Sequence, residues 1–507
     1  MGLKLKPSKC RSFSCVGGKP TDVPFFIGDY QIPSIKFEKK KFLGKLLFFK
    51  GKPEDTFTMF KDTLTEGIQN IEKAMIRSEF KLWIYSKYFL PSLRFLLTVH
   101  TLTQTQLKAL DTLTDKAVKK WIGIPRSATN VVIHMQQTLD IKSISQLYTE
   151  THTLSHVRTR LQGDLTVNNA INSTLDREST WTRKQSTAVQ CEEVYVAAKN
   201  LHTVEGEMPE FTGEDSVKLQ CQFNSKVSTS VKKHMEEEHM RKCSEKVKSL
   251  AVQGQTLALA AAEKNDFTWK STIYNLKAGT LKFLVNAVID TLPTAANLVR
   301  WKKSTSDKCK PCKGRQTTAH CLNICTVSKD TGRWTWRHNN IVNYVVNSLD
   351  ETRYTIFSDI PGHEASGGGS VPPEVCVTNL KPDITIWDKA SNMFHIFELT
   401  VPLDRNISQR HLEKSNKYAH FITDIQHIKT SVTAFEVSSI GNVTPDNKKS
   451  LTKLHKFCKP GTKLSMFIKN ISSLSIYSSY HIWLCRNDPD FLAPYLPAPF
   501  QPSPGGS

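Results

Sequence analysis

Cys309, Cys312, His320 and Cys325 stand in the order C-x2-C-x7-H-x4-C. Two thiolates from one tight turn, followed by a histidine and a cysteine about one helical turn apart, can close a tetrahedron around zinc. A loop this small buries too little apolar surface to fold alone, so the metal would carry its stability. Four protein ligands leave no open position. The chemistry is therefore structural or nucleic-acid-binding rather than hydrolytic. Cys321 also falls in this stretch, but as the neighbour of His320 it points elsewhere and reads as a small packed apolar side chain.

A second constellation lies in NLKPDITIWDKASNMFHIFELTVP, Asn379 to Pro402. Two apolar runs each carry one acid, Asp383 and Glu398, with 14 residues between them. If the runs pair as a ribbon through the polar turn near DKASN, the carboxylates come together. Two close carboxylates stay ionised most easily around a divalent cation. Oxygen-only ligation suits Mg²⁺, which takes one or two carboxylates plus substrate phosphate and can position an attacking water. The next segment, RNISQRHLEKSNKYAHF, supplies His411, Lys414, Lys417 and Tyr418 at three- and four-residue spacing, hence on a shared helix face. A lysine there can orient a nucleophile or offset developing charge on a phosphate. Singly, each residue has a plainer reading: a turn acid at Asp383, a satisfied edge residue at Glu398, and solvated lysines. The ordered set favours a nuclease.

The elements that must hold these residues follow from periodicity. Residues 1–50 read as short strands and turns, and about 55–160 as helices with apolar positions three and four apart. Residues 161–215 are polar with weak periodicity and read as a linker; 216–263 are charged and helical in pattern. An apolar helix stops near Pro293, before the cysteine cluster. Beyond it come a helix at about 335–350, strands at about 380–388 and 393–401, a helix at about 406–428, a strand at about 432–440 and further helices. APYLPAPFQPSPGGS ends the chain as a Pro-rich tail unable to pack a core.

The 507 residues suffice for several domains, and 39% hydrophobic content can build real cores. The formal net charge of +21 predicts a polyanionic partner, most simply nucleic acid. No run approaches the ~20 apolar residues of a membrane helix, so no membrane partner is expected. The N-terminus lacks an apolar signal region, and the 12 cysteines read as reduced thiols apart from the metal cluster.

KPD, then ELT after 14 residues, then KSNKY, resembles the restriction-like endonuclease of site-specific non-LTR retrotransposons, a variant of the PD-(D/E)xK nuclease fold. TGRWTWRHNNIV, Thr331 to Val342, looks like its opening helix, and TAFEVSSIGNVTPDN, Thr433 to Asn447, like its third strand and following turn. The cysteine cluster, with VIDTLPTAANLVRW leading into it, is similar to the CCHC knuckle these elements carry before the nuclease. LKLKPSKCRSFS resembles reverse-transcriptase palm just after the catalytic Asp-Asp motif, and KFLG, Lys41 to Gly44, its primer-grip hairpin. KLWIYSKYFLPSLRFLLTVHTL through VKKWIGIP resembles thumb helices.

The resemblance implies a multidomain chain: a palm remnant over 1–54, a helical thumb-like domain over 55–160, a polar and helical linker over 161–265, a helix and CCHC zinc knuckle over 266–330, an α/β restriction-endonuclease-like domain over 331–490, and a disordered Pro-rich tail over 491–507. It implies Mg²⁺ held by Asp383 and Glu398, with the Leu399 backbone carbonyl as a further ligand, and Zn²⁺ held by the knuckle. Thr400 stands where the usual ExK lysine would be, so Lys414 or Lys417 must carry that role. Glu351 is a further acid, read more simply as a helix-surface charge. No YADD-like string is present, so the chain is expected to nick double-stranded target DNA, to bind element RNA and to work in the nucleus, but not to polymerise. Lys6 or Lys9 would echo a palm lysine without consequence. The rival expectation is a non-catalytic nucleic-acid-binding relic.

Overall fold

The computed structural model describes residues 5–17, 19–35, 40–42, 45–47, 53–162, 164–177, 189–196, 225–262, 270, 273–366, 368–418, 425 and 428–494. The chain divides into two compact units. The first comprises residues 1–76, 80–118 and 141–241; the second comprises 77–79, 119–140 and 242–507. The architecture is mixed α/β, and among the described residues no helix is long and apolar enough to cross a membrane.

The first unit opens with short strands in antiparallel ladders: Ser14–Val16 with Lys19–Thr21, Phe25–Ile27 with Tyr30–Ile32, and Lys40–Phe42 with Lys45–Leu47. Of KFLG, Leu43 and Gly44 lie outside the described residues. Helices follow, including Pro53–Lys73 and Ile144–Leu161. The latter starts at a capping box in which Ser143 and Gln146 satisfy each other's backbone amides. The stretch read as a linker begins instead with the helix Leu165–Arg177, whose composition (Asn, Ser, Thr) obscures its period. Ser225–Lys248 is helical as its charge pattern predicts.

In the second unit, one four-stranded sheet organises the rest. Its frame is α1 (Arg333–Ser348), β1 (Thr355–Ser358), β2 (Ile384–Asp388), β3 (Met393–Thr400), α2 (Ile407–Lys417), β4 (Lys429–Glu436), α3 (Pro445–His455) and α4 (Leu464–Leu484). The strand order is β4-β3-β2-β1; β2 is antiparallel to both β1 and β3, and β4 is parallel to β3. β1 has no counterpart in the sequence reading, so β4 is the fourth strand, not the third. α2 ends at Lys417, short of the expected 428, and residues 419–424 lie outside the described set.

Both faces of the sheet are covered, and the alternation of side chains sorts them. Phe397, Leu399, Ile384, Ile386 and Phe435 pack with Ile341, Val345 and Val346 of α1 and with Leu451, Phe467 and Ile471 of α3 and α4. Phe394 and Ile396 belong to a second core with Val371, Val375 and Tyr418. The tail is anchored at its start. Phe491 packs edge-on against Trp336 at 5.4 Å, and the buried Arg333 donates to the carbonyls of Asp488 (2.6 Å) and Asp490 (3.2 Å). Residues 495–507 lie outside the described residues.

The turn from β4 into α3 requires glycine. Gly441 has φ +80°, and a Cβ there would stand 2.6 Å from Ile476 and 2.9 Å from the Ser472 carbonyl. Gly441→Ala is expected to destabilise this unit by about 1–3 kcal/mol, because the residue must hold a left-handed backbone and displace α4. A lowered thermal midpoint by circular dichroism checks this; an unchanged midpoint would contradict it.

Candidate metal centre and carboxylate site

The cysteine cluster is built by a small hairpin and a wide helical turn. Lys313 N–H donates to the Cys309 carbonyl at 3.0 Å, and Cys309 N–H returns to Gly314 at 2.6 Å. This turn presents Cys309 and Cys312. His320 and Cys325 come from the ends of the turn His320–Ile324, closed by the Cys325 N–H on the His320 carbonyl at 2.9 Å. One ligand atom from each of the four residues lies within 4.8 Å of every other, and Cys312 Sγ is 3.2 Å from His320 Nε2. A tetrahedron with Zn–S bonds of about 2.3 Å has edges of about 3.8 Å, so the cluster fits a metal such as zinc with little adjustment. Gly314 keeps the approach clear, since a Cβ there would sit 3.1 Å from the His320 ring.

Burial holds the His320 imidazolium pKa below 6.5, which favours the neutral ring a metal needs. Burial pushes the Cys309 thiol up to about 11, assisted by the neighbouring thiols. At Cys325 burial acts upward too, but hydrogen bonds from the Ser328 backbone and hydroxyl and from the other thiols outweigh it and bring the group below its usual value. Cys321 is buried outside the cluster, its thiol pushed up to about 12 by desolvation. Mass spectrometry of the purified protein should find one zinc ion bound at this cluster, with Cys309→Ser or Cys325→Ser removing it; full zinc content in both variants would rule the cluster out as the ligand set.

The second site follows from strand register. Ile384 pairs with Phe397, so the next pair outward sets Asp383 directly opposite Glu398. Asp383 N–H donates to Glu398 Oε1 at 3.3 Å, and Leu399 N–H donates to Asp383 Oδ2 at 2.7 Å. Glu398 continues the row of Phe394 and Ile396, and so faces α2 and Tyr418. The expected pairing of the two runs is therefore present, and the acids are neighbours.

α2 crosses this face. The Lys414 ammonium bonds Glu398 Oε2 and lies 4.0 Å from Asp383 Oδ2. Lys417 Nζ lies 3.8 Å from Glu398 Oε1 and donates to the Tyr418 hydroxyl at 2.8 Å; that hydroxyl in turn donates to Glu398 Oε1. Lys414 alone approaches both acids. Leu399 contributes its amide to holding Asp383. Glu351, in the turn after α1, is exposed and takes no part in these contacts.

Two partners of these side chains escaped the sequence reading. His338, on α1, places Nε2 3.2 Å from Asp383 Oδ2 and Nδ1 3.2 Å from Asn339 Oδ1. Glu436 ends β4 on the same sheet face, fully buried, 3.0 Å from His411 Nδ1. Its signal was available: like Glu398, it is an acid ending an apolar run. A lone histidine in a polar helix carried no such signal.

The electrostatics keep the acids distinct. Burial would raise Asp383, but the hydrogen bond and charge of His338 and the charge of Lys414 outweigh it and hold the carboxyl below its usual range. For Lys414, burial is outweighed by Asp383 and Glu398, which hold it protonated. Burial raises Glu436 despite His411. Burial and the bond to Glu398 keep Tyr418 a phenol.

Among the described residues, Asp383 Oδ1 receives no hydrogen bond, and the buried hydroxyl of Thr400 has no partner. Thr400, two residues from Glu398 on the strand, faces the same side. No protein-family model matches the chain, and no curated protein matches it.

Burial would pull His338 below 6.5, and the Asp383 hydrogen bond and charge overcome it and leave the group above that value. A raised cation contributes stability fully below its unfolded pKa and loses it as pH rises through the folded one. The thermal midpoint in magnesium-free buffer should therefore carry a component that falls as pH rises past 6.5, and His338→Gln should remove that component. Superimposable profiles for the two proteins would refute this coupling.

Proposed function

We propose that the α/β body of the second unit is a Mg²⁺-dependent endonuclease that nicks double-stranded DNA. The observation that carries this reading is the register that sets Asp383 opposite Glu398 on one sheet face, beneath Lys414. The opening helix, the two acid-bearing strands, the lysine-bearing helix and the strand after it stand in the order the retrotransposon endonuclease resemblance implies. The net charge of +21 suits a phosphate backbone.

Asp383 and Glu398 are the residues that would hold Mg²⁺, with Asp383 kept ionised by His338 and Lys414. The bound ion would polarise the scissile phosphate and lower the cost of forming a hydroxide nucleophile. Lys414 is assigned the role of the absent ExK lysine: it is the nearer of the two α2 lysines to both carboxylates, and its ammonium can meet charge growing on the phosphate. Tyr418 fixes the Glu398 carboxylate, and Lys417 supports it through that hydroxyl. The knuckle is assigned a structural and nucleic-acid-binding part. In this reading the helices of the first unit are thumb-like, element RNA is a further partner, and the protein works in the nucleus.

The ion pair of Lys414 with Glu398 favours one rival, because such a network can satisfy buried acids without any divalent ion. That rival is the non-catalytic nucleic-acid-binding relic. A supercoiled-plasmid assay with Mg²⁺ separates the two. The wild type should yield open circles; Asp383→Ala and Glu398→Ala should lose at least about a hundredfold in rate, and Lys414→Gln a comparable amount. Equal nicking by wild type and Asp383→Ala would reject the assignment, and calorimetric Mn²⁺ binding that survives Glu398→Ala would reject the ligand set.

A further inference from the structure

From Pro445 to Lys463 the chain carries six lysines against one acid, Asp446. α3 sorts them by side. Asn447, Ser450, Leu451 and Leu454 are buried against the sheet, while Lys449, Lys453 and Lys456 are exposed at positions i, i+4 and i+7, one above another on the outer face. Such a lysine row is commonly no more than a solvated surface. Its placement here argues otherwise. Asn447 Oδ1 accepts the Glu436 N–H at 2.9 Å, so α3 starts at the end of the sheet that carries the acids. His411, the partner of Glu436, lies close enough to Asp446 to depress its carboxyl, after the larger effect of Lys449. At its far end, Phe457 packs on Phe397 and His395, so α3 runs back along the sheet from the acid-bearing end, on the face opposite Glu398.

The lysines are available. Asp446 and Lys449 pair at 2.8 Å, but both side chains are largely exposed, 85% and 77%, and such a pair yields readily to a stronger anion. Lys453 and Lys456 have no acidic partner among the described residues. With a rise of about 1.5 Å per residue, Lys449 and Lys456 stand about 10 Å apart along the helix. One strand of duplex DNA carries a phosphate about every 3.4 Å of axis, so a run of four phosphates, about 10 Å, spans a comparable length.

We propose that the outer face of α3, through Lys449, Lys453 and Lys456, is a docking surface for the backbone of duplex DNA, held against the flank of the body whose sheet end carries the Asp383–Glu398 pair. The choice of DNA rests on the endonuclease reading; the surface itself rests on charge and position. It contacts phosphates only, so it carries affinity and register without sequence preference.

The test is the salt dependence of duplex binding by the full chain without Mg²⁺, comparing wild type with the triple variant K449Q/K453Q/K456Q. Each lost phosphate contact should reduce the slope of log K against log salt by about 0.9, or about 2.7 for the three, equally on unrelated duplexes. Nicking at low salt and saturating protein should persist in the variant. An unchanged slope overturns the docking surface, as does a reduction seen only with RNA. The two readings fail separately: nicking with an unchanged slope removes the docking surface and keeps the nuclease, whereas a lysine-dependent slope in a wild type that never nicks removes the nuclease and leaves the docking surface.

Discussion

Everything at the carboxylate site depends on the register of β2 against β3. Side chains alternate across a sheet, so a slip of one residue would send Asp383 or Glu398 to the opposite face and pair an acid with Phe397 in the apolar core. The two cores guard against that slip. Ile384, Ile386, Phe397 and Leu399 fill one face, Phe394 and Ile396 the other, and a one-residue shift would break both. The packing that stabilises the sheet thus also places the acids, and α2 needs only to lie across that face for Lys414 and Tyr418 to reach them.

That geometry brings together cations and anions at a cost that the surroundings offset. Glu398 is fully buried, yet each of its oxygens has a partner: Lys414 on one, and Tyr418 and the Asp383 amide on the other. Asp383 differs. Its Oδ2 is held by Leu399 and His338, and its Oδ1 is left open. One acid is anchored through both oxygens and the other through one. Glu436 and His411 form a second pair beside them, with Glu436 biased toward its neutral form by burial.

Much of this was legible in the sequence because it depends on local period. The cysteine spacing, the two acid-ending apolar runs and the three- and four-residue spacing of His411, Lys414 and Tyr418 each reflect one element's geometry. What could not be read depends on contacts between elements distant in sequence. His338 meets Asp383 across 45 positions of chain, from a helix whose polar face shows no motif. The strand Thr355–Ser358 is short and only partly buried, so its alternation is faint. The helix Leu165–Arg177 was obscured by residues that serve turns as readily as helices.

The knuckle and the acids are mechanically joined. Asn323, inside the turn between His320 and Cys325, donates to the Val401 carbonyl at 2.8 Å, and Arg337 from α1 reaches the same carbonyl at 3.3 Å. Val401 is the residue after β3, three positions from Glu398. The strand that carries Glu398 is therefore moored at its end by the loop that carries His320 and Cys325. The four-residue cluster and the end of β3 are thereby coupled: an ion held by Cys309, Cys312, His320 and Cys325 would also fix the turn that tethers Val401.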